Sequence, residues 1–331
     1  MASTWRGSTG RLANTRPSAT LALVISGGPC ALLAACALRN GASADVLVVE
    51  APQRAGVASV HLLPTRALAL LPPAAAGALR AHGSATPDGG TLCVDGATLC
   101  ATLRRCLPPS SLVIDGRVTG FAQQAGEMHV RLEGRAGRRS QRSVACAVLL
   151  GTGGASCAVR AALLGVAPLN KRVALWRGTC AAQPGDGSPA GMLELARDAD
   201  GACVGAFVKH GQRVYWNLLA PPLPPRAPPP DGNAITALAL AAARWPSLAA
   251  VVAQTRAQHA SCELIPESQR PLRGQNGVLL LGYAARGVSS AAMDELGATT
   301  NDVLTLMQAL KYTPDVLATA ANAYATAAFH G

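Results

Sequence analysis

Aromatic side chains are scarce, with Phe, Trp and Tyr making up 3% of the 331 residues. The core must then be built from Ala, Leu and Val, which favours close-packed helices and leaves few platforms on which bases could stack. Charge is sparse as well, at 14%, and acids are the minority, 18 Asp and Glu against 29 Lys and Arg, for a net charge of +11. The basic excess is arginine scattered through apolar sequence. Its densest run carries Arg135, Arg138, Arg139 and Arg142 in a Gly/Ser setting. Without interleaved aromatics this run reads as a solvated hairpin, and no nucleic-acid partner is expected. The ten cysteines contain no Cys-x-x-Cys, and the six histidines no His-x-x-x-His. Neither a zinc site nor a redox dithiol motif is therefore expected. Thiols inside apolar runs, such as Cys36 and Cys146, serve as small hydrophobes, which points to a reducing compartment. That compartment is the cytoplasm, or an organelle if residues 1–20, rich in Arg, Ser and Thr and free of acids, are a transit peptide and not a plain tail.

What is present is organised around Leu21 to Glu50. Leu21 to Ile25 is a short apolar run suited to a buried parallel strand. Ser26-Gly27-Gly28-Pro29 reads as a tight turn, Cys30 to Asn40 as an Ala/Leu-rich helix stopped by Gly41, and Val46 to Val49 as a second strand ending at Glu50. Such a β-α-β unit suits dinucleotide binding. Glycines let the backbone approach a pyrophosphate, the helix N-terminus offers free N–H groups, and an acid about 20 positions on accepts from a ribose hydroxyl. On the Gly-x-Gly-x-x-Gly fingerprint the glycine positions fall on Ser26, Gly28 and Ala31. Two other readings compete: a membrane segment over Leu21 to Leu38, opposed by Gly27-Gly28-Pro29 at its centre, and a Rossmann-like unit that binds no nucleotide.

Further along, short helices are expected over Pro64 to Leu71 and Ala74 to Arg80, and a helix from Val94 to near Pro108. Leu112 to Ile114 and Val144 to Leu150 read as strands, and Val118 to Phe121 pairs with Met128 to Leu132. From about residue 166 the pattern changes to regularly spaced strands, Val173 to Cys180, Met192 to Ala196, Cys203 to Val208 and Val214 to Leu219, read as an antiparallel sheet in its own layer. Pro221 to Pro230 holds seven prolines and reads as a linker. Helices over Ile235 to Ala243 and Leu248 to His259, a strand over Val278 to Leu281 and a helix over Thr300 to Leu310 complete the chain.

This order of elements resembles the FAD-dependent aromatic hydroxylases, flavoprotein monooxygenases of the para-hydroxybenzoate hydroxylase type, from about residue 21 to 312. Four stretches carry the likeness. The first is Ser26 to Ala31 with Glu50. The second is Val94 to Leu103, resembling a helix that opens Arg-x-x-Leu-x-x-x-Leu, with Leu99 and Leu103 matched and Gly96 in place of the Arg. The third is Gly151-Thr152-Gly153-Gly154 through Val159-Arg160, resembling Gly-Ala-Asp-Gly-x-x-Ser-x-Val-Arg. The fourth is Leu279 to Arg286, a strand and turn resembling Gly-Asp-Ala-Ala-His-Pro from Gly282 on, with Tyr283 where the family's Asp meets the ribityl chain, Arg286 for the His and Gly287 for the Pro. Counting on, the family's loop glycines fall on Met293 and Glu295, and its helix acid on Asp302.

The resemblance implies an α/β fold: a Rossmann-type FAD-binding domain with a parallel sheet, formed by residues 21–165 and 266–331, and a smaller antiparallel substrate domain, 166–265. It implies an NAD(P)H-dependent hydroxylase of an aromatic or other small hydrophobic substrate, with FAD touching Ser26, Gly27, Gly28, Pro29, Ala31, Glu50, Gly153, Gly282 and Tyr283. In such enzymes the flavin performs the oxygen chemistry, so no catalytic triad, metal or integral membrane segment is expected. Substrate would lie between the flavin ring and the 173–219 sheet, where Trp176 and Trp216 are the available aromatics, core packing being the more frequent job for both. The alternative is a non-catalytic derivative of the fold, since each lost charged hydrogen bond costs roughly 1.5–3 kcal/mol. An NAD(P)-dependent dehydrogenase is disfavoured by the lack of a Tyr-x-x-x-Lys pair.

Overall fold

A computed structural model describes residues 21–50, 59–114, 116–124, 127–134, 141–154, 157–164, 172–183, 190–220, 232–266, 271–286, 293–312 and 324–325. The tail 1–20, most of the arginine run and the proline stretch 221–230 lie outside them. In chain order the elements begin with β1 (Leu21–Gly27), α1 (Pro29–Ala42), β2 (Val46–Glu50) and β3 (Val60–Pro64). There follow α2 (Pro73–His82), β4 (Ser84–Ala85), β5 (Thr91–Asp95), α3 (Gly96–Arg105), β6 (Leu112–Val113), β7 (Arg117–Gln124), β8 (Glu127–Glu133), β9 (Arg142–Gly151) and α4 (Ala158–Leu164). Next are β10 (Arg172–Ala181), β11 (Leu193–Arg197), β12 (Cys203–His210), β13 (Arg213–Ala220), α5 (Gly232–Ala241), α6 (Pro246–Ala253) and β14 (Ala260–Pro266). The last are β15 (Gly274–Gln275), β16 (Val278–Leu280), α7 (Tyr283–Arg286) and α8 (Glu295–Tyr312).

Five parallel strands run side by side in the order β6-β2-β1-β9-β16, the central arrangement of a doubly wound nucleotide fold. Ile25 is opposite Val48 on β2 and opposite Leu150 on β9. The long strand β9 uses its first half, through Cys146, to pair antiparallel with β8, and its last three residues to pair with β16. The apolar run after β1 is a helix buried on every side, Cys30 through Leu38 all lying inside the protein. That explains an uncharged stretch without a membrane, and among the described residues no helix is long and apolar enough to cross one.

Gly41 does not stop α1, which continues to Ala42 and ends with Ser43 in the left-handed region at φ 49°. A Cβ at Gly41 would collide with Met307 Cε; the glycine allows α8 to pack close against α1. The helix expected from Val94 begins two residues later, because Val94 and Asp95 belong to β5. The Asp95 carboxylate accepts from the Thr98 N–H at 2.9 Å and caps α3. The helix expected over Pro64 to Leu71 is a 3-10 turn, Thr65–Leu70.

The second sheet is antiparallel throughout, in the order β11-β12-β13-β10-β14. One face, with Trp176, Trp216 and Leu218, is covered by α5 and α6. The opposite face presents Val208 and Tyr215, which pack with Leu62 of β3, Cys93 of β5 and the half-buried Met293. Both tryptophans are 1% exposed, and the Trp216 Nε1–H donates to Thr255 at 2.8 Å. Of the two roles the sequence leaves them, core packing is the one they take: both lie on the covered side of the sheet, away from a substrate on its other face.

Candidate dinucleotide-binding site

The parallel strands end at a common level. Gly27 of β1 lies opposite Glu50 of β2, and Gly151 of β9 lies opposite both Ser26 and Leu280. The turns that follow these ends therefore gather at one edge of the sheet, the place where open α/β sheets bind ligands.

At the first turn the two glycines do different work. A Cβ on Gly27 would collide with Thr152 Oγ1 and stand 3.0 Å from the Thr152 carbonyl carbon, so this glycine lets the β1 and β9 turns touch. A Cβ on Gly28 would meet nothing within 4 Å. Its open flank faces the start of α1, where Pro29 occupies the first turn and spares one unsatisfied donor. Ala31 is fully buried in the core, and its small side chain serves close packing of the helix, which is what the third fingerprint position requires.

Glu50 is 3% exposed. Both its oxygens accept from Arg104 at the end of α3, Oε2 from Nε and Oε1 from Nη2, each at 2.8 Å. A carboxylate has about four lone-pair sites, so this fork leaves acceptor capacity for a ribose hydroxyl. Arg104 was not foreseen from the sequence; a basic residue on the helix after the ribose acid is too common to stand out.

Gly153 and Gly154 form the β9 turn, with Gly154 at φ +65°. Arg160, 2% exposed, reaches from α4 and donates through Nη1 to the carbonyls of Ala284 and Ala285 at 2.6 and 3.2 Å. It ties the β9 turn to α7. Gly282 adopts φ +60°, where a Cβ would collide with Thr299 Oγ1. Its N–H donates to Asp302 at 2.7 Å. Asp302, 1% exposed, also holds Arg286 through both oxygens and has Arg273 within 3.9 Å.

Tyr283 is half-buried, and its hydroxyl donates to Asp294. Burial first, and then the Asp294 charge, hold the phenol above its usual range, so it stays a donor. Glu295 opens α8 next to Gly154 and Cys30. At the second motif Gly96 is required by its neighbours: a side chain there would collide with Ser59 Oγ, and His61 Nε2 lies 3.2 Å from its Cβ position. His61 itself is kept neutral, lowered to about 4 by burial above all and also by the Arg177 charge.

The residues fit the ADP half of FAD: an open glycine flank, an unobstructed backbone at the α1 N-terminus and a buried acid at the end of β2. At the ring end, Met293 fills the gap between the β3–β5 sheet and the antiparallel sheet, while Tyr283 is turned to Asp294. The ten cysteines are free thiols, and among the described residues no group of His, Cys, Asp and Glu forms a metal site.

No family model and no curated protein matches the sequence. The fold, however, matches solved structures along nearly the whole chain. HpxO of Klebsiella pneumoniae complexed with FAD and uric acid superposes with a TM-score of 0.64 at 18% identity, covering 92% of this chain and 83% of that one. PqsL of Pseudomonas aeruginosa, a probable FAD-dependent monooxygenase, gives 0.63 at 18% identity, covering 92% and 90%. The OxyS anhydrotetracycline hydroxylase of Streptomyces rimosus gives 0.59 at 19% identity, covering 92% and 65%. The chain has the fold of the FAD-dependent monooxygenases.

Proposed function

We propose that the protein is an FAD-dependent monooxygenase that uses NAD(P)H to hydroxylate an aromatic or other small hydrophobic substrate. The observation that carries this reading is the conjunction of Glu50 with Gly27, its partner at the aligned strand ends, and the open Gly28 that follows, in a fold shared with FAD-bound proteins over 92% of the chain. Uric acid and anhydrotetracycline, named with two of those proteins, both carry conjugated rings, in keeping with the aromatic substrate class that the resemblance implies.

In this reading the backbone at Gly27, Gly28 and Pro29 and the α1 N-terminus bind the dinucleotide phosphates. Glu50, oriented by Arg104, accepts from the ribose. Gly153, Gly282 and Tyr283 border the remainder of the cofactor. FAD, when bound, supplies the redox and oxygen chemistry. The chain's own part is to exclude water with the apolar wall of Leu62, Cys93, Val208 and Tyr215. Neutral His61, next to Gly96, is a further hydrogen-bonding group. Residues 21–165 with 266–331 form the cofactor unit, and 166–265 the substrate unit. Nothing in the comparisons favours the non-catalytic alternative.

The deciding experiment is to purify the protein, record its visible spectrum with and without added FAD, and follow oxygen-dependent NAD(P)H consumption with phenolic and purine-like substrates. Flavin absorption and substrate-stimulated consumption are expected. A colourless protein that takes up no FAD would end the proposal.

A further inference from the structure

Two of the ten thiols meet where α1 packs on α3. Cys36, in the middle of α1, is 2% exposed, and its thiol donates to the Leu103 carbonyl of α3 at 3.3 Å, across 67 residues of sequence. The Cys106 N–H donates to that same Leu103 oxygen at 3.0 Å. The Cys106 thiol donates to the preceding carbonyl, Thr102, at 3.3 Å. Both sulfurs therefore lie on neighbouring carbonyls of the last turn of α3. No Cys-x-x-Cys spacing marks such a pair, because packing and not chain proximity makes it.

The two thiols are unlike. Cys106 is the C-cap of α3 and partly exposed. Its thiol is lowered to about 7, by the Cys36 side chain first and by the Arg105 charge as well. Cys36 is pushed well above the usual range, by Cys106 first and by burial second. One member is thus an accessible thiolate near neutral pH, and the other a protonated thiol set against it. Cys262, also partly exposed, is raised by burial and by the Glu263 charge and lacks the nucleophilic form. Core packing explains Cys36 by itself, but not an acidified, partly exposed thiol beside it. An accessible thiolate next to a second thiol is the arrangement in which oxidation ends in a disulfide.

We propose that Cys36 and Cys106 are an oxidisable pair, closed to a disulfide by hydrogen peroxide and reopened by a thiol reductant. The inference does not depend on the flavin reading. The Cys106 thiolate attacks one peroxide oxygen: an S–O bond forms, the O–O bond breaks, and the departing hydroxide takes a proton from solvent to become water. The Cys36 sulfur then attacks the Cys106 sulfur: the S–S bond forms, the S–O bond breaks, and hydroxide leaves as water with the Cys36 proton. The two thiols lose two electrons and the peroxide gains them. Closure fastens the end of α3, close to Arg104 and its Glu50 partner, to the helix that opens the dinucleotide site.

The test is treatment of the purified chain with hydrogen peroxide, with and without later dithiothreitol, read by non-reducing peptide mapping and by urea unfolding. The wild type is expected to give a Cys36–Cys106 linked peptide within one chain and to lose it with dithiothreitol. The linked form is expected to unfold at a higher urea midpoint, because the bond closes a long loop. Cys106→Ser is expected to keep Cys36 unmodified and its midpoint unmoved by peroxide. Cys36→Ala is expected to stop after the first step, with Cys106 a sulfenic acid that dimedone traps. A wild type that yields no linked peptide, whether Cys106 stays free or goes on to the sulfinic acid, overturns the proposal. Linkage to other cysteines or between chains does so too. A linked form with a lower midpoint shows that the reduced fold does not set the two sulfurs for bonding, and also overturns it. Should Cys36→Ala fail to fold, the wild-type map and Cys106→Ser decide.

Discussion

Arg104 grips Glu50 in a two-point fork, with Nε and Nη2 each 2.8 Å from a carboxylate oxygen, across 54 residues of sequence. The acid is 4% exposed at its side chain and the arginine 30%. Removing the cation strands a buried charge. Arg104→Ala is expected to destabilise the protein by about 2–3 kcal/mol, below the range for fully buried pairs because Arg104 is partly solvated. Urea unfolding at neutral pH measures it. Arg104→Met with Glu50→Leu should recover most of that stability and abolish FAD binding, which separates the structural role of the pair from its binding role.

The two adjacent glycines should behave oppositely. Gly28→Ala adds a Cβ to open space, so stability should change by less than about 0.5 kcal/mol, yet FAD affinity should fall at least about tenfold as the methyl obstructs the phosphates. Gly27→Ala drives a methyl into Thr152 and should destabilise by about 1–3 kcal/mol. Paired unfolding and FAD titrations check both; a Gly28→Ala protein with unaltered FAD affinity would contradict the placement.

Asp302 accepts from the Gly282 N–H and from Arg286 and lies 3.9 Å from Arg273. Asp302→Ala leaves two arginines facing each other, Arg273 being 4% exposed, and frees the Gly282 turn. A loss of about 3–5 kcal/mol is expected, read as a lower urea midpoint at unchanged m-value.

Cys106, at the C-terminal end of α3, is partly exposed. The neighbouring Cys36 side chain is the main cause that lowers its thiol to about 7, helped by the Arg105 charge. The thiolate is the reactive form, so alkylation by iodoacetamide should rise with pH, reach half its maximum near pH 7 and level off above it. Peptide mapping should find Cys106 modified ahead of the buried thiols. Cys36→Ala should move the midpoint upward; an unmoved midpoint would show that Cys36 is not its cause.

The β1–α1–β2 unit was legible because each part announces itself within a few residues: an apolar run, a Gly-Gly-Pro turn, an uncharged helix and a second run. The hairpin β7–β8 and the spacing of β10 to β13 were legible for the same reason. Elements whose limits depend on distant partners were not. β14 went unread because it is held by β10, with Arg172 opposite Pro266. α8 starts five residues before the expected Thr300, at Glu295, since Leu296 and Thr299 are buried against the rest of the fold and outweigh a Gly-Ala-Thr-Thr stretch of poor helix propensity. α6 stops at Ala253, short of His259, where the Thr255 hydroxyl donates to the Val251 carbonyl and accepts from Trp216.

Local pattern also marked Gly28 and Glu50 as candidates, because strand, turn and helix leave their signature in neighbouring residues and a strand places its last side chain by simple alternation. It carried no information about which arginine reaches Glu50, which face of the antiparallel sheet is covered, or that the Glu295 side chain lies against Gly154. Those relationships join residues dozens to hundreds of positions apart. They are settled by which elements pack together, since burial and charge pairing act through space while propensity acts along the chain.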